Sequence, residues 1–580
     1  MKYIAPSLIV LLSSGTAWAA QFSDPGPVEQ EITAQAKSFN GVAFPDEPDG
    51  QAAFVRFVQT ARTLALTAPG HAALRAKLAG FEANPNIGPH SAGITREELA
   101  PLLRAYIRLR YHDDAAWSLS RLVKFRTYKG EVPNRENPEF AEASKFLSEL
   151  SARLKLKFKD LEGNFFEISL AGGEPPLGIV GHVDVVPAEA EGWKYPPFDG
   201  TIAEGFVWGR GSADDKGAVI SAIYGLAALR EARVRLRNRI VILIGTAEES
   251  TWEDVDYLFR RYSPPPLNVI VDAEFPVVYG EKGVMGVRVS TAVKEAERVG
   301  AAWEVAGVSG GVQATIVPDR AEVRLKSVQK GREAALKEVA ELARRFGETH
   351  KKSRVSISVG AENIEVRFGG VAAHSMDPGL GHNAIADMVE FVTGLLGVPA
   401  GGRGCMMRFL REHIGFKTDG AGLGVNRRHP LLGATTVNLG TWSETNGSAT
   451  AAINIRFPVG LGLDDIKSAV ERRIKKFNER TGCALSSTAR GMPPILADVN
   501  SDLVRTLVYS FNSSTGIAAE PVTTGGTSYA KVFPNAVAFG PLMPGQEKLD
   551  HAANERFPTD QLTRNAGIFA TAMLLLAGQP

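Results

Sequence analysis

Polar, titratable side chains stand at the ends of several apolar runs in this chain. His182 and Asp184 close "GIVGHVDVVP", Asp214 and Asp215 lie in "GRGSADDKGA", Glu248 and Glu249 in "GTAEESTW", and Asp272 in "IVDAEFP". Imidazole nitrogen suits zinc, and carboxylate oxygen accepts zinc, manganese or cobalt. Several carboxylates with few histidines suggest two divalent ions sharing a bridging carboxylate. Two ions about 3.5–4 Å apart can hold hydroxide and polarise a carbonyl group. The Glu248–Glu249 doublet offers one residue as a ligand and its neighbour as a general base. Each piece alone has a plainer reading: a strand reaching the surface, an Asp-Asp helix cap, a solvated Glu-Glu face. Their occurrence in one order, each after a strand, argues for a site.

The elements that must carry them alternate. "FFEISL" (165–170), "LGIV" (177–180), "IVILI" (240–244) and "NVIV" (268–271) read as strands, and "KGAVISAIYGLAALREA" (216–232) reads as a helix. Short apolar strands alternating with helices predict an α/β sheet with parallel members. Ligands of such sheets sit outside the carboxyl ends of the strands, where these polar residues lie. Before the strands, helical spacing predicts helices over about 51–80, 95–110 and 141–154. Beyond about Gly286 the texture changes. Residues 321–345 and 449–476 each read as a strand followed by a long helix, a loose internal duplication that predicts an inserted α+β domain. "LVRTLVYSFNSSTG" (503–516) and "NAVAFG" (535–540) then return to the first domain as a helix and a final strand.

The 580 residues, 44% hydrophobic and 22% charged, have globular composition and room for more than one domain. A net charge of +1 gives no field favouring nucleic acid or acidic lipid. The two cysteines, Cys405 and Cys483, allow at most one bridge, which sequence cannot establish. "MKYIAPSLIVLLSSGTAWAA" has an early lysine, an apolar run too short to span a bilayer, and an A-x-A end at Ala19, the pattern of a cleaved export signal. No later run of 18 or more apolar residues is evident. The expectation is a soluble periplasmic or secreted protein with no membrane association once the signal is removed.

"GHVDVVP", "GWKYPPF", "GRGSADDKG", "EES" and "DAEFP" together resemble the dizinc metallopeptidases of clan MH, which include glutamate carboxypeptidases, aminoacylases, succinyl-diaminopimelate desuccinylase and bacterial dipeptidases. "EES-x-W" beside "DAEFP" resembles the large-lid bacterial dipeptidases in particular. The likeness covers about Asp113 to the C-terminus and leaves the segment before Arg110 unexplained. It implies a zinc-exopeptidase-type α/β catalytic domain with a mixed, mainly parallel sheet, and an inserted α+β lid holding the duplicated β-α unit. The expected organisation is a signal over 1–19, a mostly helical extension over 20–110, catalytic parts over 111–286 and 489–580, and a lid over 287–488.

The resemblance also implies roles. His182 and Asp272 hold one ion, Glu249 and His551 (in "KLDHAANER") the other, and Asp214 bridges them. The ions are zinc, with cobalt or manganese as alternatives. The family often has a cis peptide after the bridging Asp, here before Asp215. Asp184 bonds the second ring nitrogen of His182 and fixes its tautomer. Glu248 is the general base and later the proton donor to the leaving amine. In the lid, His374 of "FGGVAAHSMDPGLGHNAI" matches a histidine that stabilises the tetrahedral oxyanion, whereas His382 is assigned no role. Arg456 in "INIRFP" grips the terminal carboxylate of a substrate, with a mid-strand Arg paired to a buried acid as the plainer reading. Gly525, Gly526, Thr527 and Ser528 of "TTGGTSYA" supply N–H groups and hydroxyls to the same carboxylate, and Asn438 of "TVNLG" is a further candidate contact.

The leading expectation is therefore a metal-dependent dipeptidase or carboxypeptidase acting on small peptides with a free carboxylate. An N-acyl amino acid deacylase using the same site is the sibling reading. A peptide-binding relative without catalysis predicts a gap in the ligand set, and none is present. A serine hydrolase lacks its G-x-S-x-G elbow. The duplicated lid can replace a contact that smaller-lid relatives make between subunits, which points to a monomer.

Overall fold

The structure, a computed structural model, describes residues 26–35, 50–300, 302–360 and 362–578. The signal expected over residues 1–19 lies outside the described residues. The chain divides into two compact units. One holds residues up to Tyr279 together with Ala497–Val522 and Ser528–Pro580, and the other Gly280–Leu496 with Thr523–Thr527.

The first unit is built on a sheet whose order is β1 (Lys157–Leu161), β2 (Phe165–Leu170), β4 (Ile240–Gly245), β3 (Leu177–His182), β5 (Leu267–Ile270) and β6 (Ala536–Ala538). β4, β3, β5 and β6 pair in parallel, while β1, β2 and β4 pair antiparallel along one edge. β3 and β4 are buried along their whole length. That explains their unbroken apolar composition, since a central parallel strand is covered on both faces. α6 (Lys216–Glu231) is apolar on nearly every side and almost wholly buried, as a helix sandwiched between other elements must be.

Around the sheet lie α1 (Gly26–Ala34), α2 (Gly50–Thr60), α3 (Ala72–Ala83), α4 (Arg96–Val123), α5 (Pro138–Arg153), α7 (Glu253–Arg261), α8 (Asp502–Thr515) and α9 (Thr559–Ala577). The helix expected over 95–110 runs on to Val123 because Tyr111, Ala115, Leu119 and Leu122 continue the buried stripe at helical spacing. Its start is a capping box, Thr95 accepting the Glu98 N–H and Glu98 accepting that of Thr95. The helical pattern expected over 51–80 is two helices, α2 and α3, separated by a break. The 110/111 boundary therefore falls inside a helix, and the extension is built into this unit. Arg104 of α4 pairs with Glu29 of α1 at 2.6 Å, and Tyr106 donates to Glu231 of α6 at 2.6 Å.

The second unit is an antiparallel sheet covered by helices. Its strands Arg320–Ser327 and Ser448–Phe457 are each followed by a long helix, Arg332–Thr349 and Leu463–Thr481. Along Ser448–Phe457 and its partner Thr436–Thr445, one face (Ile453, Ile455, Val437, Leu439) enters the apolar core. Cys405 and Cys483 form a disulfide beside that core. The unit is wider than the expected 287–488. Residues 523–527 join it because Lys282 donates its N–H to Thr524 O at 3.1 Å and Arg456 reaches both Gly525 and Thr527. Among the described residues no single helix is long and apolar enough to cross a membrane.

Candidate metal centre

β3 delivers His182 at its last position, with Asp184 two residues on. β4 ends at Gly245, three residues before Glu248, and β5 at Ile270, two residues before Asp272. Asp214 sits in the turn that opens α6, and the Asp214–Asp215 peptide is cis. His551 follows β6 in a segment where it adopts a left-handed backbone (φ 63°), a conformation uncommon outside glycine and enriched at functional turns.

These side chains form two overlapping triads, His182–Asp214–Asp272 and Asp214–Glu249–His551, each with its ligand atoms within 4.8 Å of one another. His182 Nε2 lies 3.1 Å from Asp214 Oδ1 and 3.8 Å from Asp272 Oδ2. His551 Nε2 lies 2.6 Å from Glu249 Oε1 and 3.3 Å from Asp214 Oδ2. The two oxygens of Asp214 thus face different histidines, the arrangement a bridging carboxylate needs.

The electrostatics fit cations. Burial, together with the charge of Asp214, pushes Asp272 well above the usual carboxylate range and lifts Glu249 to about 7. Burial with Asp272 raises Glu248 likewise. Burial works against charge on His551, yet its bonds to Asp214 and Glu249 raise it to about 11. Three carboxylates and two imidazoles crowded together, with His182 buried, the acids half-buried and His551 exposed, are an unfavourable arrangement for protons alone. They are a conventional oxygen-and-nitrogen donor set for two divalent ions.

The support differs from expectation at Asp184. His182 Nδ1 is nearest the main-chain oxygen of Asp184, at 3.0 Å, with the carboxylate at 3.4 Å. Either contact leaves the proton on Nδ1 and Nε2 directed at the acids. The Asp184 carboxylate itself accepts the N–H groups of Glu248 (3.0 Å) and Glu249 (2.9 Å).

Three further acids build this centre: Asp215, which the sequence offers without a role of its own, and Glu555 and Asp254, which a reading of the sequence misses. Asp215 Oδ2 accepts the His182 N–H at 3.2 Å, and a side chain at Gly181 would meet that oxygen at 2.4 Å, so only glycine fits there. Glu555, fully buried, accepts the N–H groups of Gly211, Ala213 and Asp214 and the Arg210 guanidinium at 2.6 Å. Asp254 accepts the N–H groups of Thr246 and Ala247 and the Tyr529 hydroxyl, fixing the turn before Glu248. The signals were faint: an acid four residues after His551, and another five after Glu249.

In the second unit His374 is exposed, and its Nδ1 accepts the Met376 N–H at 3.1 Å. A neutral ring so held carries its proton on Nε2 and is a donor there. His382 bonds the buried Asp387 at 2.7 Å. Arg456 is buried. Its Nε donates to Asn454 Oδ1 (2.9 Å) and its Nη1 to Gly525 O (3.1 Å) and Thr527 Oγ1 (2.9 Å). Burial lowers its pKa to about 10 against the opposing charge of Glu281, so it stays cationic. Gly526 donates its N–H to Thr524 Oγ1 at 3.0 Å. Ser528, assigned to the first unit, accepts the Ala530 N–H at 3.2 Å. Asn438 is buried, and its amide donates to Ala314 O (2.9 Å) and Ile316 O (2.8 Å), which makes it the tether of that loop.

The model of peptidase family M20/M25/M40 matches residues 178–575. A protein of Staphylococcus epidermidis (strain ATCC 12228 / FDA PCI 1200) named "Putative dipeptidase" is 30% identical over 439 residues, 75% of this chain and 90% of that protein. A like-named protein of Staphylococcus haemolyticus (strain JCSC1435) is 29% identical over 457 residues, 77% and 92% of the two chains. The crystal structure of human carnosine dipeptidase 1 shares the fold with a TM-score of 0.50 and 16% identity, covering 82% of this chain and 98% of that one.

Proposed function

From its place in peptidase family M20/M25/M40, to which this chain belongs, we propose that it hydrolyses dipeptides or short peptides bearing a free C-terminal carboxylate. The observation that carries the reading is the pair of donor triads sharing Asp214. Two divalent ions held by His182, Asp214, Asp272, Glu249 and His551 supply positive charge that polarises a carbonyl and acidifies water. Zinc suits this donor set best, with cobalt and manganese as alternatives.

The chain's own groups perform the proton transfers and the orientation. Glu248, placed beside a ligand and raised by burial, takes the proton of the attacking water and returns it to the leaving amine. His374 offers its Nε2 proton to the oxyanion that forms at the substrate carbonyl. Arg456, its Nε and Nη1 held by Asn454, Gly525 and Thr527, turns its Nη2 to the terminal carboxylate and orients it. Gly525, Gly526, Thr527 and Ser528 contribute through the loop that borders it.

The same reading takes the chain as exported and monomeric. The leader-like N-terminus supports export, as does the Cys405–Cys483 disulfide, a bond that persists in oxidising compartments. One experiment tests the whole. Metal content of the mature protein is measured, with turnover of a dipeptide panel beside N-acetyl and N-succinyl amino acids, before and after chelation. Two metal equivalents and chelator-sensitive dipeptide turnover are expected. Preference for the acyl amino acids would replace this reading with a deacylase.

A further inference from the structure

The strand Ser448–Phe457 carries a short polar row on one face. Asn454 and Arg456 lie two residues apart, and across the ladder stand Asn438 opposite Asn454 and Thr436 opposite Arg456. Residues so paired share a face of the sheet, and the other face is the apolar core. Polar groups buried at this depth are retained only when they bond something.

Here they bond the two segments that carry the proposed substrate contacts. Ser375, next to His374 and fully buried, donates its hydroxyl to Asn454 Oδ1 at 3.0 Å. Ser375 also donates its N–H to Thr315 O at 2.8 Å and accepts from Thr436 Oγ1 at 3.3 Å. Thr315 belongs to the loop tethered by Asn438. The same Oδ1 of Asn454 accepts Arg456 Nε at 2.9 Å, and Arg456 continues to Gly525 and Thr527. The two outer segments also touch: a side chain at Gly525 would meet Met376 Cβ at 2.7 Å.

We propose that Asn454 is a positioning residue whose side-chain oxygen locks the His374 loop and Arg456 into one rigid block, so that the block measures the span between the scissile carbonyl and the terminal carboxylate. This rests on the roles given above to His374 and Arg456. One acceptor serving the Ser375 hydroxyl of one segment and, from its own strand, the Arg456 guanidinium that holds the other leaves neither segment free to shift alone. The block selects peptides in which a single α-amino acid separates the scissile amide from the carboxylate. A C-terminal residue with one more backbone methylene places the carboxylate out of register.

The test compares Asn454→Leu, Asn454→Asp and Ser375→Ala in the full chain, alongside His374→Ala and Arg456→Lys. Turnover of a dipeptide is measured against its analogue ending in β-alanine, with metal content and circular dichroism recorded. Asn454→Leu is expected to shrink the ratio of the two kcat/KM values by about tenfold or more, the discrimination one methylene supports. It should lower kcat and raise KM together. Asn454→Asp, which keeps an acceptor oxygen, should restore the ratio to within about threefold. Ser375→Ala should lower kcat with KM held, because it frees only the loop side. The ratio does not depend on how much of a preparation is folded, so lost stability alone cannot mimic the result. An unchanged ratio in Asn454→Leu, or in Ser375→Ala an unchanged kcat should Asn454→Leu not fold, overturns this inference while His374→Ala and Arg456→Lys remain impaired. Full activity of His374→Ala and Arg456→Lys overturns the underlying reading and this inference with it.

Discussion

One carboxylate oxygen of Asp184 accepts the main-chain N–H of Glu248 at 3.0 Å, and the other accepts that of Glu249 at 2.9 Å. The acid that follows β3 therefore fastens the turn that follows β4, its parallel neighbour. Asp184 sets the proposed base and one proposed ligand by their backbone while its main-chain oxygen orients His182. Two strand ends become one rigid site through a single side chain.

Asp184→Asn keeps one acceptor oxygen and places an amide where the second was. It should lower kcat/KM by about 10–100-fold and weaken metal retention, the usual cost of losing a residue that supports ligands. Steady-state kinetics and metal analysis of the same preparation check it. Full activity with full metal content would remove Asp184 from the site's support.

Glu248→Gln should leave both metal equivalents bound and lower kcat by about 10²–10⁴-fold, the range general-base catalysis supplies. Glu249→Gln, by contrast, should release metal, because Glu249 Oε1 faces His551 across one triad. Equal metal loss in both variants would contradict the division of labour within the doublet.

Glu555→Ala removes the buried partner of Arg210 and the acceptor of three N–H groups in the turn leading to Asp214. Leaving a buried guanidinium unpaired costs about 3–5 kcal/mol, so the urea midpoint should fall markedly. A midpoint within error of the parent would show that the turn holds without it.

His112 joins α4 to α9, its ring nitrogens each 2.8 Å from a carboxylate, Asp113 and Asp560. Partial burial opposes its charge, but the bonds to the two acids raise its pKa above the ordinary value. A raised histidine stabilises the fold fully below its unfolded pKa of about 6.5, and that contribution is lost as pH rises through the folded value. The melting temperature of the parent should thus exceed that of His112→Phe more at pH 6 than at pH 8. A gap that widens with pH would reverse the sign and refute the pairing.

Replacing Cys405 and Cys483 by serine opens a loop with a sequence separation of 78. Disulfides typically contribute about 2–4 kcal/mol and more for longer loops, so the double variant should unfold at lower denaturant. Reductant should shift the parent by a similar amount and leave the variant unmoved. A parent indifferent to reductant would place the stability of this unit elsewhere.

Strands β3 to β5 and the polar residues at their tips were legible along the chain, because a buried parallel strand must be apolar throughout and its end is where polarity can return. The helix pattern was legible in type but not in extent: α4 outran its expected end, and the stretch from 51 to 80 broke in two. Asp254, Glu555 and Asn454 carried no such pattern. Each acts through hydrogen bonds to partners placed by the fold, as when Glu555 reaches Gly211 across 344 positions. The pairing of Cys405 with Cys483 is of the same kind. Local burial decided which residue types stand at each strand end, since a strand covered on both faces stays apolar until it emerges. Which distant acids hold those ends in place was decided only by tertiary structure, because a main-chain N–H donates to any carboxylate the fold brings within reach and leaves no mark in the order of residues.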